Sequence, residues 1–269
     1  MLAILSSGRA AYYLAVQSFK KTLVFRANYF IQLASEFIIV FLSVQLWEGI
    51  YNANGDLVKQ SLSQMITYMA LARLVAHIDM EFVRGVQERV ISGAIGNELI
   101  RPMEHSWYLF AQESGRFVSR LLTLSLPIYT VVFFVLDINV PKDPLVLLLF
   151  FISLTLSFAI MFYINYFVAI LAFWIQHLFT LNVLKNNLVR FLSGIYVPLW
   201  IFPVSVVVLV EYLPFAMVAF VPIQIYLQQY SIAKSVAFIG IQGFWLIVVY
   251  VWAKWMWSIM VKRIEISGG

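Results

Sequence analysis

The 269-residue chain contains no cysteine, which excludes disulfides, thiolate metal sites and cysteine nucleophiles. Charge is scarce as well. Only 12% of residues are Asp, Glu, Lys or Arg, about half the share of an ordinary soluble domain. The three histidines, His77, His105 and His177, lie far apart with no carboxylate cluster around them, so no metal site is expected. No GxxxxGK[ST] stretch is present to cradle nucleotide phosphates. HExxH is missing too, and the serines, Ser193 before Gly194 among them, lack a GxSxG context or an obvious base. Nothing here makes the chain an enzyme, and nothing in it supplies an energy source.

Apolar surface is abundant instead. Hydrophobic residues make up 62% of the chain, with 23 Phe, 14 Tyr and 8 Trp, and mean hydropathy is +0.89. A soluble globule of this size could not hide that surface, and a disordered chain would need far more polar residues. The composition therefore predicts an all-α, polytopic integral membrane protein. The net charge of +5 reflects membrane topology and suggests no nucleic-acid partner.

A span needs about 20 apolar residues to cross about 30 Å of hydrocarbon. Five candidates are clear: 27–47, 117–137, 144–174, 187–210 and 236–260. A sixth, 62–79, is weaker because it holds Arg73 and His77. If it crosses and the N-terminus is inside, 15 of the 18 basic residues face the cytoplasm and only Lys59, Lys142 and Lys234 lie outside, as inward-biased basic loops require. If it does not cross, Arg84, Arg89, Arg101, Arg116 and Arg120 move outside and the bias collapses. Six spans with both termini cytoplasmic follow. Trp174, Trp252, Trp255 and Trp257 near the inner ends, and Trp47 near an outer end, read as interfacial belts.

Residues 1–26 are no signal peptide, lacking an unbroken apolar core and a small-residue cleavage site. Tyr12, Val16, Phe19 and Leu23 recur at helical spacing, with Gln17, Lys20 and Lys21 off that stripe. This predicts an interfacial amphipathic helix or a simple basic anchor. The longest loop, 80–116, is cytoplasmic. Its part 82–90 has mixed charge at helical spacing, Gly93 and Gly96 allow a turn, and Pro102 forces a break. It is either a docking knob or a solvated connector.

Charges inside a bilayer are expensive and usually face protein or water. Glu36 and Arg73 sit at depths that differ by about one turn, so they can pair, either to pack the first two helices or to touch substrate. The fourth span, about 31 residues and roughly 46 Å if helical, should tilt or project. Its Ser153, Ser157 and Asn165 share a face that serves packing or lines a pathway. Gly194, Pro198 and Pro203 should kink the fifth span. Between Pro214 and Pro222 lies an apolar piece too short to cross. With its flanks, 211–235, it reads as a re-entrant hairpin or an outer-interface helix.

Taken together, three stretches resemble one family. They are ISGAIGNELIRPMEHSWYLFAQESGRF (91–117), with a "G, then Leu-x-Arg/Lys-Pro" pattern, the kinked SGIYVPLWIFP (193–203) with the following outer segment, and the basic, aromatic tail ending Gly268-Gly269. The chain is similar to membrane permease subunits of bacterial ATP-binding-cassette exporters of the second export type, in a subfamily linked to drug and antibiotic export. The resemblance implies a permease of the bacterial cytoplasmic membrane that carries amphiphilic drug, antibiotic or lipid-like cargo. It implies two separate ATPase subunits, which bind ATP and Mg, while this chain holds no cofactor. It implies a second six-span permease, in a heterodimer or homodimer, and contact with membrane lipid. The first cytoplasmic loop would hold the ATPase-coupling helix, with Phe82, Arg84, Gly85, Glu88, Arg89, Gly93, Gly96 and Glu98. Ser157, Asn165, Gly194, Pro198, Pro203, Pro214 and Pro222 would belong to the pathway or its outer gate. The alternative is a secondary transporter or channel driven by an ion gradient, which usually carries several ionisable residues near the midplane and internal repeats. This chain offers only Glu36 and Arg73, and no repeat is visible.

Overall fold

A computed structural model describes residues 2–22, 26–54, 60–76, 78, 82–135, 138, 140–175 and 177–263. Among these residues all regular structure is helical. The helices are α1 (Leu2–Thr22), α2 (Arg26–Asn54), α3 (Leu62–Ala76), α4 (Phe82–Ile91), α5 (Gly96–Leu99), α6 (His105–Arg120), α7 (Leu126–Val135), α8 (Pro144–Ile170), α9 (Phe179–Leu192), α10 (Val204–Val210), α11 (Phe220–Tyr226) and α12 (Ile232–Met260). Four stretches are helices long and apolar enough to cross a membrane: Tyr29–Ala53, His105–Val135, Pro144–Phe173 and Ile232–Met260; Leu62–Ala76 is apolar but shorter. His77 and Asp79, Asp137, Leu23, Lys59 and the tail after Arg263 lie outside the described residues.

α8 is the axis. Its start is fixed by Asp143, whose Oδ1 accepts from Leu145 N at 2.9 Å, with Pro144 in the first turn. It packs along α12 and against α11 and α4. Aromatic rings fill the seams. Phe162 packs edge-on to Phe110 at 5.1 Å, and Phe117 stacks on Phe158 at 4.8 Å. A smaller cluster, Val40, Val44, Ile66, Ala70, Ile128 and Val132, joins α2, α3 and α7 at one side.

The helices depart from the expected spans in two places. The third begins at His105, not 117, and runs on through a π turn, Leu121–Ser125, into α7. Pro127 explains the π turn, because its ring displaces a carbonyl of the preceding turn and it donates no hydrogen bond. The early start has a partner behind it. α1 lies along α6, and a Cβ on Gly115 would fall 1.9 Å from the Ala15 carbonyl oxygen. The face of α1 that is covered carries Ala11 and Ser18, while Tyr12, first in the expected stripe, is 66% exposed. Small residues allow the close approach, and the tyrosine face turns outward.

The fifth expected span, 187–210, is broken instead of kinked. α9 starts at Phe179 and stops at Leu192. Gly194 then takes φ +82, a short 3-10 turn covers Leu199–Ile201, and α10 restarts after Pro203. Pro198 and Pro203 each stand immediately before a new helical piece, where the missing N–H costs least. Tyr68 of α3 holds the break, its hydroxyl donating to the Gly194 carbonyl at 2.9 Å and its ring 4.5 Å from Trp200.

Residues 211–231 form a hairpin of turns around α11, and its middle is deeply buried, with Ala216, Met217, Ala219, Val221 and Ile223 fully covered. Its far end is fixed by one amide. Gln242 Nε2 of α12 lies 2.9 Å from the Met217 carbonyl, 3.2 Å from Ser157 Oγ and 3.3 Å from the Ser153 carbonyl, and Ser157 Oγ donates to Met217 at 2.9 Å.

Gly194→Ala should lower the stability of the purified protein in detergent by about 1–3 kcal/mol, from the left-handed backbone and a Cβ placed against the Tyr68 hydroxyl, 2.4 Å away. Adding Tyr68→Phe should relieve the clash but also remove the hydroxyl's hydrogen bond to the Gly194 carbonyl, so the double variant should stay less stable than the parent. Thermal unfolding followed by circular dichroism checks this, and an unchanged midpoint for Gly194→Ala contradicts it.

Candidate functional site

The charged stretch after α3 folds into a knob. On α4, Phe82, Val83 and Val86 are buried, and the Phe82 ring packs 5.4 Å from Phe162 of α8. The opposite face presents Arg84 and Glu88, an exposed pair at 3.2 Å. Gly93, at φ +73, reverses the chain, and Ile95 N donates to the Arg89 carbonyl at 2.9 Å to close the helix end. Gly85 is half-buried, and Gly96 is exposed at the start of α5. Two apolar side chains also stand out from the knob, Ile91 at 59% and Ile100 at 83% exposure, while the Arg101 guanidinium lies over the Tyr108 ring at 4.5 Å.

The eight residues expected to couple therefore share one knob but not one face. Phe82 and Glu98 are both buried, while the other six lie at least partly open. Phe82 is drawn in by aromatic packing. Glu98 is drawn in by charge. Its Oε1 pairs with Arg89 Nε at 3.1 Å, and its Oε2 lies 3.2 Å from His105 Nε2. Burial works against its ionised form, but the His105 hydrogen bond and the charges of Arg89 and Arg101 outweigh it and hold the carboxyl below the usual range. An acid held low adds stability above its ordinary titration range, and that contribution is lost as pH falls through the lowered one. Beyond Glu98, His105 Nδ1 meets the Tyr166 hydroxyl of α8 at 3.1 Å, and its ring stacks on Trp257 of α12 at 4.6 Å with planes 6° apart. Glu104 adds a second tie to α12 through Lys254.

Glu36 and Arg73 meet. Arg73 Nε donates to Glu36 Oε2 at 3.0 Å, and Nη2 lies 2.6 and 2.7 Å from the two carboxylate oxygens. Such a fork joins α2 to α3 with both charges largely covered. Beside it lies a cavity of about 230 Å³, lined by Val40, Ser43, Ile66, Met69, Val132, Tyr196 and Arg73 among others.

The remaining expected positions separate into two groups. Ser157 and Asn165 are fully buried, and both are engaged between helices. Ser157 joins the Gln242 node, and Asn165 accepts from Lys185 of α9 and donates to the Met161 carbonyl at 2.8 Å. Gly194, Pro198 and Pro203 make the break, while Pro214 and Pro222 lie in the buried hairpin. The hairpin's mouth is clasped by Glu211, which accepts from Tyr230 and pairs with Lys234 at 3.5 Å, while Lys234 also sits 4.1 Å over the Tyr230 ring. Sequence reasoning missed Gln242, a lone amide inside a long apolar run and so a visible signal. It also missed His105, Tyr166 and Trp257, which lie too far apart in sequence to be joined by pattern.

Residues 37–268 match the family described as ABC-2 family transporter protein. No curated protein matches the chain. The chain belongs to the ABC-2 transporter family. It is a multi-pass membrane protein and a permease component of an ABC transporter, of the kind that works with ATPase subunits.

Glu36→Gln should destabilise the α2–α3 contact by about 1–3 kcal/mol, because Arg73 keeps its charge and loses its counter-ion. Exchanging the two, Glu36→Arg with Arg73→Glu, should restore most of the loss in thermal unfolding. A single variant as stable as the parent contradicts the pairing.

Proposed function

We propose that this ABC-2 family chain forms, with a second six-span permease, the path of an ATP-driven exporter in the bacterial cytoplasmic membrane, driven by two ATPase subunits. The observation that carries the reading is the knob. Ile91 and Ile100 stand exposed on it, with the Arg84–Glu88 pair on the exposed face of α4. An apolar pair with charged neighbours suits an aqueous groove on another protein, and it would be costly in lipid. The inward charge bias assigns that groove to the cytoplasm, where ATP is bound and hydrolysed with Mg by the partner.

Closing the ATPase pair pushes on the two knobs, and stiff helices carry the displacement across the membrane. The break at Gly194–Pro203 and the hairpin 211–231 form the outer gate. The hairpin is re-entrant in this reading. Its mouth is tied to Lys234 and its tip to Gln242, eight residues along α12, or about 12 Å. That is well below the interface of a core about 30 Å thick. The apolar cavity beside Arg73 and the exposed apolar faces of α2 and α10 suit amphiphilic cargo of the drug, antibiotic or lipid-like class.

Ile100→Asp and Glu88→Lys should each reduce the ATPase that co-purifies with the permease on the order of tenfold, the equivalent of about 1.4 kcal/mol, while insertion and helix content stay unchanged. Undiminished ATPase with both variants, or cargo flux driven by an ion gradient through this chain alone, contradicts the reading.

A further inference from the structure

We infer that His105 is a positioning residue, the pivot by which the knob drives α8 and α12. The inference rests on the transport reading and names the route of force inside the permease. The knob has a hydrophobic seat on α8, through Phe82 and Val86, but apolar contact alone lets two surfaces slide. One chain of directional contacts runs through a single imidazole, beside the Glu104–Lys254 tie. Arg89 on α4 pairs with Glu98 on α5 at 3.1 Å, and Glu98 meets His105 Nε2 at 3.2 Å. His105 Nδ1 meets the Tyr166 hydroxyl on α8 at 3.1 Å, and its ring face lies on Trp257 of α12 at 4.6 Å. His105 is itself the first residue of α6. Five helices thus share four side chains around a ring that is 5% exposed.

The geometry suits transmission. A hydrogen bond resists shear at both ring nitrogens, and the near-parallel indole restrains the ring plane, so translation of α5 must carry the imidazole with it. A buried chain of this kind is also stiffer than a surface pair, because water cannot replace its partners. Coupling between distant sites needs such an element with discrete arrangements that both ends bias.

The test uses the permease–ATPase complex in nanodiscs. The permease has no native cysteine, so Val118→Cys on α6 and Val236→Cys on α12, both exposed, are spin-labelled on the purified permease before the ATPase is added. In the parent, ATP should shift the distance distribution between them. His105→Ala and Tyr166→Phe should retain the ATPase and its hydrolysis, yet the ratio of shifted to unshifted populations under ATP should fall roughly two- to thirtyfold, the range for changes along a coupling network. His105→Gln, with one acceptor and one donor, should recover part of the response. Tyr166→Phe removes only a hydroxyl and keeps the test valid if His105→Ala does not fold. A full shift in Tyr166→Phe and in every folded His105 variant overturns the pivot while leaving the transport reading intact. A parent that recruits no ATPase overturns the transport reading first.

Discussion

A backbone carbonyl buried in protein has no water to turn to, and this constraint organises the irregular segments among the described residues. Residues 211–219 are turns, not helix, so their carbonyls are not satisfied by a regular ladder. Gln242 answers this by donating to Met217 from α12, with Ser157 completing the node from α8. Tyr68 does the same for the broken segment by donating to Gly194. Irregular backbone is tolerated here because protein covers it, and each covering contact also fixes the place of an irregular segment.

Polar groups elsewhere follow the same rule. Glu36 and Arg73 neutralise each other between α2 and α3, and Asn165 meets Lys185 between α8 and α9. In the knob the same rule separates a buried face from an exposed one. The inner face of α4 joins the aromatic core, its outer face presents Arg84, Glu88 and Ile91, and Ile100 stands exposed just after α5.

Much of this was legible in the sequence. The 144–174 run matches α8 and its 3-10 end, because Asp143 and Pro144 mark the start and an unbroken apolar stretch needs no partner to become helix. The α4 knob and the Glu36–Arg73 contact followed from spacing and depth. The early start of α6 was hidden because its polar residues look like loop until α1 lies over Gly115. The fifth segment was read as a kink, since two prolines and a glycine announce a defect but not how far the helix will part. The family resemblance names Glu98 only as a polar contact of the coupling helix, with no sign of burial. Only the three-dimensional meeting with Arg89 and His105, remote in pattern, turns it inward.

The account stands on the knob lying in the cytosol. Because the chain has no cysteine, Ile100→Cys and Lys142→Cys can each be probed in intact cells with a membrane-impermeant maleimide. The account predicts that position 142 reacts from outside and position 100 reacts only after the cells are permeabilised. Reaction at position 100 in sealed cells would contradict it.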